Sequence, residues 1–365
     1  MPDCLIVGGG VIGLSIAYEL AGAGVRVRLV ERQAIGREAS WAGAGILPPP
    51  GQPDPSDAHG QLAALSHALH RAWAEELRSL TGIDNGHRRT GAIYVAHDRE
   101  QQRSLEAQQV HWRRDRVEHE PLSTGELSRI EPELVRAECA FHLPDECQIR
   151  NPWHLRALAA ACLLRGVEIS EGVQATDFIV RNSRIDGLCT SAGVLRAECY
   201  CLTGGCWTAE LAAKLDYTLA IAPVRGQMAL VRGMPHVLKH IINEGRRYLV
   251  PRGDGRILAG STEENAGYDR RTTADGIRGL LDLAVRLVPR LATFEIERTW
   301  AGLRPATADG LPYLGPLPGL TNAFVAAGHF RSGLHLSPGT ARVMSEAIQS
   351  KPPLIDLRAF RIDRS

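Results

Sequence analysis

Three glycines near the start of the chain, Gly8, Gly10 and Gly13, stand in Gly-x-Gly-x-x-Gly spacing, and a carboxylate, Glu31, follows them. Residues of these types at this spacing suit the holding of a dinucleotide. Gly8 allows a tight turn, Gly10 lets backbone approach a pyrophosphate, and Gly13 lets the next helix pack closely on a strand. Glu31 offers oxygens to ribose hydroxyls, and its charge disfavours a 2′-phosphate, so NADP is not expected.

These residues need a strand, a turn and a helix to position them. Residues 4–7 are apolar and partly β-branched, as in a buried strand. Residues 11–23 have a helical pattern that ends at Gly24, and 25–31 read as a second strand with Glu31 at its end. The helix N-terminus then presents unpaired N–H groups and a positive dipole end to phosphate.

With 365 residues the chain has room for two domains of ~100–200 residues each. A formal net charge of +1 provides no overall field for nucleic acid or an anionic membrane, and the basic run 112–116 reads as a solvated helix face. No run of ~20 uninterrupted apolar residues is present, so no membrane span is expected. Residues 4–17 are interrupted by glycines and lack a preceding Lys or Arg, unlike a secretory signal. None of the eight cysteines makes a C-x-x-C pair, so reduced, mostly buried thiols and no metal site are expected. His67 and His70 have helical spacing without an acid or Cys on the same face. They read as part of a surface helix, not a zinc site.

Further along, helices are expected over 60–82 and 101–116. One near 124–134 starts with a capping box at Thr124, one over 151–169 is capped by Asn151, and another covers 276–289. A last helix has Ser337 as its cap and Pro338 at its first position. The Pro-rich stretch 48–57 reads as a loop bordering the site, and Gly253-Asp254-Gly255 as a hairpin turn. Strand–helix–strand signals dominate the first quarter, 150–207 and the end. Antiparallel-looking strands fill 85–145 and 220–300.

NAD and FAD share the glycine fingerprint, but two further features favour a flavin. Small residues fill 37–47, where backbone can approach a ribityl chain or ring. A second glycine-rich strand-to-helix turn lies at 324–341, near the other end of the chain.

On the stretches 40–47, 248–262, 300–315, 326–333 and 359–364 the chain resembles the superfamily of FAD-dependent D-amino-acid oxidases and sarcosine oxidases, and most closely the glycine oxidases of thiamine biosynthesis. The resemblance implies an α/β, Rossmann-like FAD-binding domain made of residues 1–84, 145–220 and 300–365. Inserted into it is an α+β substrate domain, 85–144 and 221–299, on a large antiparallel sheet. It also implies non-covalent FAD, oxidation of glycine, sarcosine and similar small amines with O2 reduced to H2O2, a cytoplasmic enzyme, and a possible dimer or tetramer.

Residue roles follow from the same resemblance. Arg304 matches an arginine that grips the substrate carboxylate, Tyr248 a tyrosine whose hydroxyl assists, and Arg331 an arginine near flavin and substrate. Gly333 and Leu334 match backbone positions at the flavin pyrimidine edge, Val173 a main-chain contact to adenine, and Ser40 a phosphate or ribityl contact. Val11, Ile12, Arg32, Ile46, Gly204, His329 and Ser332 complete the cofactor set with Gly8, Gly10, Gly13 and Glu31. Read by itself, His329 suits packing as well as a site.

Ile46 and Glu263 depart from the pattern. Glu263 stands where relatives carry an apolar residue; its carboxylate could repel the substrate's acid end, bind its amine, or face solvent. Three rival functions are a dehydrogenase that passes electrons to a quinone or another carrier, a tRNA-modifying FAD domain, and a non-catalytic flavin protein. The chain shows no basic groove for tRNA.

Overall fold

The computed structural model describes residues 1–54 and 56–364; Pro55, part of the Pro-rich stretch, and Ser365 lie outside the described residues. Alternation of apolar side chains builds the first layer. In strand Cys4–Val7, Cys4 and Ile6 face a layer of helices while Leu5 and Val7 face the opposite side. The strand is buried on both faces, which is why it reads as a continuous apolar run. It lies inside a six-stranded sheet, between Cys199–Leu202 and Val27–Glu31. Glu168–Glu171 forms one edge. Ala323–Ala327 and then Tyr313–Pro316 complete the other, and the Tyr313–Pro316 strand is antiparallel to its neighbour. Helices Val11–Gly22, Ala58–Thr81, Asn151–Leu164 and Gly333–Ile348 cover one face. A three-stranded sheet, Ala175–Arg181, Arg184–Thr190 and Gly193–Leu195, packs on the other.

The second layer is an eight-stranded sheet with the long antiparallel pair Glu295–Thr307 and Ile221–Arg232 along one edge. It is mixed rather than wholly antiparallel, because Ile241–Glu244 pairs in parallel with Ala92–Ala96. These two strands lie far apart in sequence, so no hairpin sets their direction. The strand Glu295–Thr307 crosses position 300 without leaving this sheet. Helix Ala274–Leu287 packs its buried side, Leu280, Leu283, Ala284 and Leu287, on the back face. The front face carries a cross-strand row: Trp300, Met228, Gly260, Tyr248, Asn243 and Tyr94.

Several helix boundaries differ from expectation. Ser123, not Thr124, forms the capping box with Glu126. Arg150 is the N-cap position of helix Asn151–Leu164, because the Asn151 side chain is committed elsewhere and donates to the Ser40 carbonyl at 2.7 Å. The last helix begins at Gly333, so Pro338 lies inside it. The N–H that Pro338 lacks leaves the Leu334 carbonyl open, and the Ser337 hydroxyl donates to it at 2.9 Å. His70 is buried, with its Nε2 2.9 Å from the His335 carbonyl, so that side of its helix faces the interior and not solvent. No cluster of His, Cys, Asp or Glu suited to a metal occurs among the described residues.

Candidate active site

The carboxyl ends of the parallel strands converge. Val7 leads into Gly8, Val27–Glu31 ends at Glu31, Leu202 leads into Thr203, and Ala327 leads into Gly328. Ligands of open α/β sheets sit where strands end in this way. A cavity of about 590 Å³ opens there and runs from Glu31 and Val173, past Gly8 and Gly10, to the front face of the large sheet at Met228 and Tyr248.

Two glycines are required by geometry. Gly8 has φ +117°, and a Cβ there would meet the Thr203 carbonyl at 2.6 Å; a Cβ on Gly13 would lie 2.0 Å from the Gly8 carbonyl. Gly13 does not line the cavity; it lets helix Val11–Gly22 approach the turn. Gly10, Val11 and Ile12 do line it. The Val11 N–H donates to Ser40 Oγ at 2.9 Å, which fastens the helix N-terminus to the short helix Ala39–Ala42. The Glu31 carboxylate accepts N–H bonds from Gly9 at 2.8 Å and Gln33 at 3.0 Å, so it braces the glycine turn while it borders the cavity. Val173 also borders the cavity, but its N–H is used by the Glu31 carbonyl at 2.9 Å, which leaves its carbonyl for a ligand.

At the other end the structure brings together residues distant in sequence. Ile46, Gly204, His329, Arg331, Ser332, Gly333 and Leu334 line the cavity with Tyr248 and Arg304. Arg304 is half-buried, and its guanidinium donates to Thr262 O at 3.2 Å and Ser261 Oγ at 2.7 Å. Both partners are neutral, so they orient the fork without cancelling its charge. Burial lowers the Arg304 pKa; Tyr248 and Glu263 oppose that fall and Arg331 adds to it. The Tyr248 hydroxyl lies 3.7 Å from Met228 Sδ. His329 is buried with Nε2 3.1 Å from Thr340 Oγ1, and burial lowers its pKa to about 3. It is therefore neutral near pH 7.

Glu263 does not line the cavity. It pairs with Arg331 at 3.2 Å and with Arg246 at 3.1 Å, and it is exposed.

Sequence reasoning missed other wall residues. Trp207 stacks on Arg32, with the guanidinium 3.7 Å from the ring centroid, beside the Glu31 end. The 42–46 segment is pinned by Trp300 Nε1 donating to Ala42 O at 3.0 Å and by Arg252 donating to Ala44 O. His335 is a buried wall residue within the first turn of the last helix. No local pattern marks these residues, because each contact joins parts of the chain far apart.

The donor set fits a flavin dinucleotide. A diphosphate suits the helix N-terminus and glycine backbone at 8–12, and a ribose suits Glu31. Ile46 and Met228, two apolar side chains of one cluster that line the cavity, suit a ring. The N-terminus of the last helix at Gly333 favours negative charge beside it.

A family model described as DAO, FAD dependent oxidoreductase, matches residues 3–347. The chain is 36% identical to the glycine oxidase of Pseudomonas putida over 96% of both chains. It superposes on the crystal structure of glycine oxidase from Geobacillus kaustophilus with a TM-score of 0.94 and 36% identity, covering 100% of this chain and 99% of the other. It is also 32% identical to the bifunctional protein ThiO/ThiG of Trichormus variabilis, matching 97% of its own length and 54% of that protein.

Proposed function

The chain belongs to the FAD-dependent oxidoreductases of the DAO family, and from that premise we propose that it oxidises glycine, and with it small amines such as sarcosine and D-alanine, to the imine. The observation that carries this reading is Arg304: a half-buried guanidinium, held by neutral oxygens, facing the ring end of the cavity beside Tyr248. The ThiO/ThiG relative supports a role in which the glycine imine feeds thiazole formation for thiamine.

FAD, when bound without a covalent link, supplies the oxidant that accepts a hydride from the amine carbon. The chain's own residues bind and orient. The Arg304 fork takes the substrate carboxylate at two points, which fixes direction as well as position. Tyr248 restricts rotation about that anchor. Met228, across Gly260 from Tyr248 on the front face, lines the cavity and keeps the amine in apolar surroundings, where its neutral form is favoured. His329 and His335, both lowered by burial to about 3, carry no charge to compete for the carboxylate. Negative charge developing at the ring end is favoured by the helix N-terminus at Gly333.

Molecular oxygen closes the cycle and gives H2O2. No helix of the described residues is long and apolar enough to cross a membrane. All eight cysteines are free, as suits a cytoplasmic enzyme, and a dimer or tetramer is the assembly we propose.

The test is anaerobic mixing of the FAD-loaded protein with glycine, sarcosine and D-alanine. The yellow flavin absorption should bleach, and admitted air should restore it with peroxide. An unbleached flavin overturns the reading. Bleaching that only a quinone-type acceptor reverses assigns a dehydrogenase instead.

A further inference from the structure

Ser261, Thr262 and Glu263 form one tripeptide that holds two guanidinium groups of the cavity. Ser261 Oγ and the Thr262 carbonyl accept from Arg304, whereas the Glu263 carboxylate accepts from Arg331. The two arginines are thus placed by the same backbone but left in different electrostatic states. Arg304 has neutral partners. Arg331 has a carboxylate at 3.2 Å, and its other terminal nitrogen donates to the Arg246 carbonyl at 3.2 Å. Arg246 in turn holds the second Glu263 oxygen at 3.1 Å, so Glu263 is braced from both sides.

We propose that Glu263 sets the charge class of the substrate: by occupying Arg331 it leaves Arg304 to take a carboxylate, so that amines with one carboxylate are accepted and amines with two are disfavoured. The inference rests on the function proposed above. Its physical core is competition. A second carboxylate reaching Arg331 must displace Glu263 and then lie beside that displaced anion, and like charges at such range oppose each other. The Glu263–Arg331 pair is about one third open to solvent, 32% and 31% for the two side chains, so it is not locked in place. Removing the Glu263 charge should therefore free Arg331 without dismantling the wall.

The probes are acetate and malonate, with binding read from the change each causes in the visible absorption of the bound flavin. In the native protein malonate should bind no more tightly than acetate. In Glu263→Gln, which keeps the side chain's shape, malonate should gain about tenfold relative to acetate, the scale of one hydrogen bond to a charged group. The gain should vanish in Glu263→Gln with Arg331→Gln. The ratio kcat/KM for iminodiacetate over sarcosine should move in the same direction. An unchanged malonate-to-acetate ratio in Glu263→Gln, in protein that still binds FAD and is reduced by glycine, overturns the inference alone. If neither glycine nor acetate perturbs the native flavin, the function proposed above falls, and this inference with it.

Discussion

The guanidinium of Arg304 lies against the backbone of Gly226 on the neighbouring strand, so closely that a Cβ on Gly226 would stand 2.1 Å from Arg304 Nη2. Gly226 pairs with Gly302 and Val224 with Arg304, so the glycine is two residues along from the partner of Arg304. Gly226→Ala should push the fork out of position. We expect at least a tenfold loss in the rate at which glycine bleaches the flavin, as misplacing a binding group by ~1 Å costs on the order of a hundredfold. FAD should remain bound. Stopped-flow reduction and the absorption spectrum check the two halves.

Arg304→Ala should lower kcat/KM for glycine by ~10²–10³-fold, the loss from truncating one partner of a hydrogen-bonded charge pair. Arg304→Lys should recover only part of this, because an ammonium lacks the planar fork. A variant reduced by glycine at the native rate removes Arg304 from its proposed role.

Glu31→Ala should weaken FAD retention by at least ~10-fold. It deletes an acceptor of the Gly9 and Gln33 N–H groups as well as a ribose partner. A lost hydrogen bond to a charged group is worth about 1.5–3 kcal/mol. Titration of the apoprotein, followed by flavin fluorescence, measures it.

Acid should destabilise the fold through buried imidazoles. Burial lowers His154 to about 4 and both His329 and His335 to about 3. Their unfolded values are near 6.5, so the unfolded chain binds more protons between those limits, and stability rises with pH there. The contribution is complete above 6.5 and is lost as pH falls toward 3, by up to about 1.4 kcal/mol per group per pH unit. Urea midpoints should drop between pH 7 and pH 5, and His329→Asn should shallow that drop.

Glu146 should act in the opposite sense. It is buried, and burial raises its pKa to about 7 against the hydrogen bonds from Tyr94 and Asn243. Here the folded state binds more protons. The contribution is complete below about 4.5 and is lost as pH rises through 7. Glu146→Gln should flatten the decline of melting temperature between pH 6.5 and pH 8.5; an equal decline in both proteins removes Glu146 as its cause.

The nucleotide-binding element was legible in the sequence because its parts are local. Strand, glycine turn, helix and Glu31 lie within one short segment, and Gly13 answers a steric demand of the nearby Gly8 carbonyl, although the demand on Gly8 itself comes from the distant Thr203 carbonyl. Boundaries read from single residues were less secure. Asn151 and Ser337 carry capping side chains, yet a distant partner drew Asn151 to the Ser40 carbonyl, and Ser337, inside a helix that starts four residues earlier, bonds back to the Leu334 carbonyl. Glu263 shows the same limit. Its type allowed three fates, and its pairing with Arg246 and Arg331 depended on where residues 246 and 331 fall in space.

By itself, then, the amino-acid order determined the dinucleotide turn and the alternation that buries strand Cys4–Val7 on both faces, since these follow from steric limits and side-chain period within a few residues. The tertiary structure decided which guanidinium keeps its charge free. Gly226, Tyr248, Ser261, Arg304 and Arg331 meet only because long-range pairing of the sheet sets their register, and hydrogen bonds between distant strands leave no periodic trace in the chain.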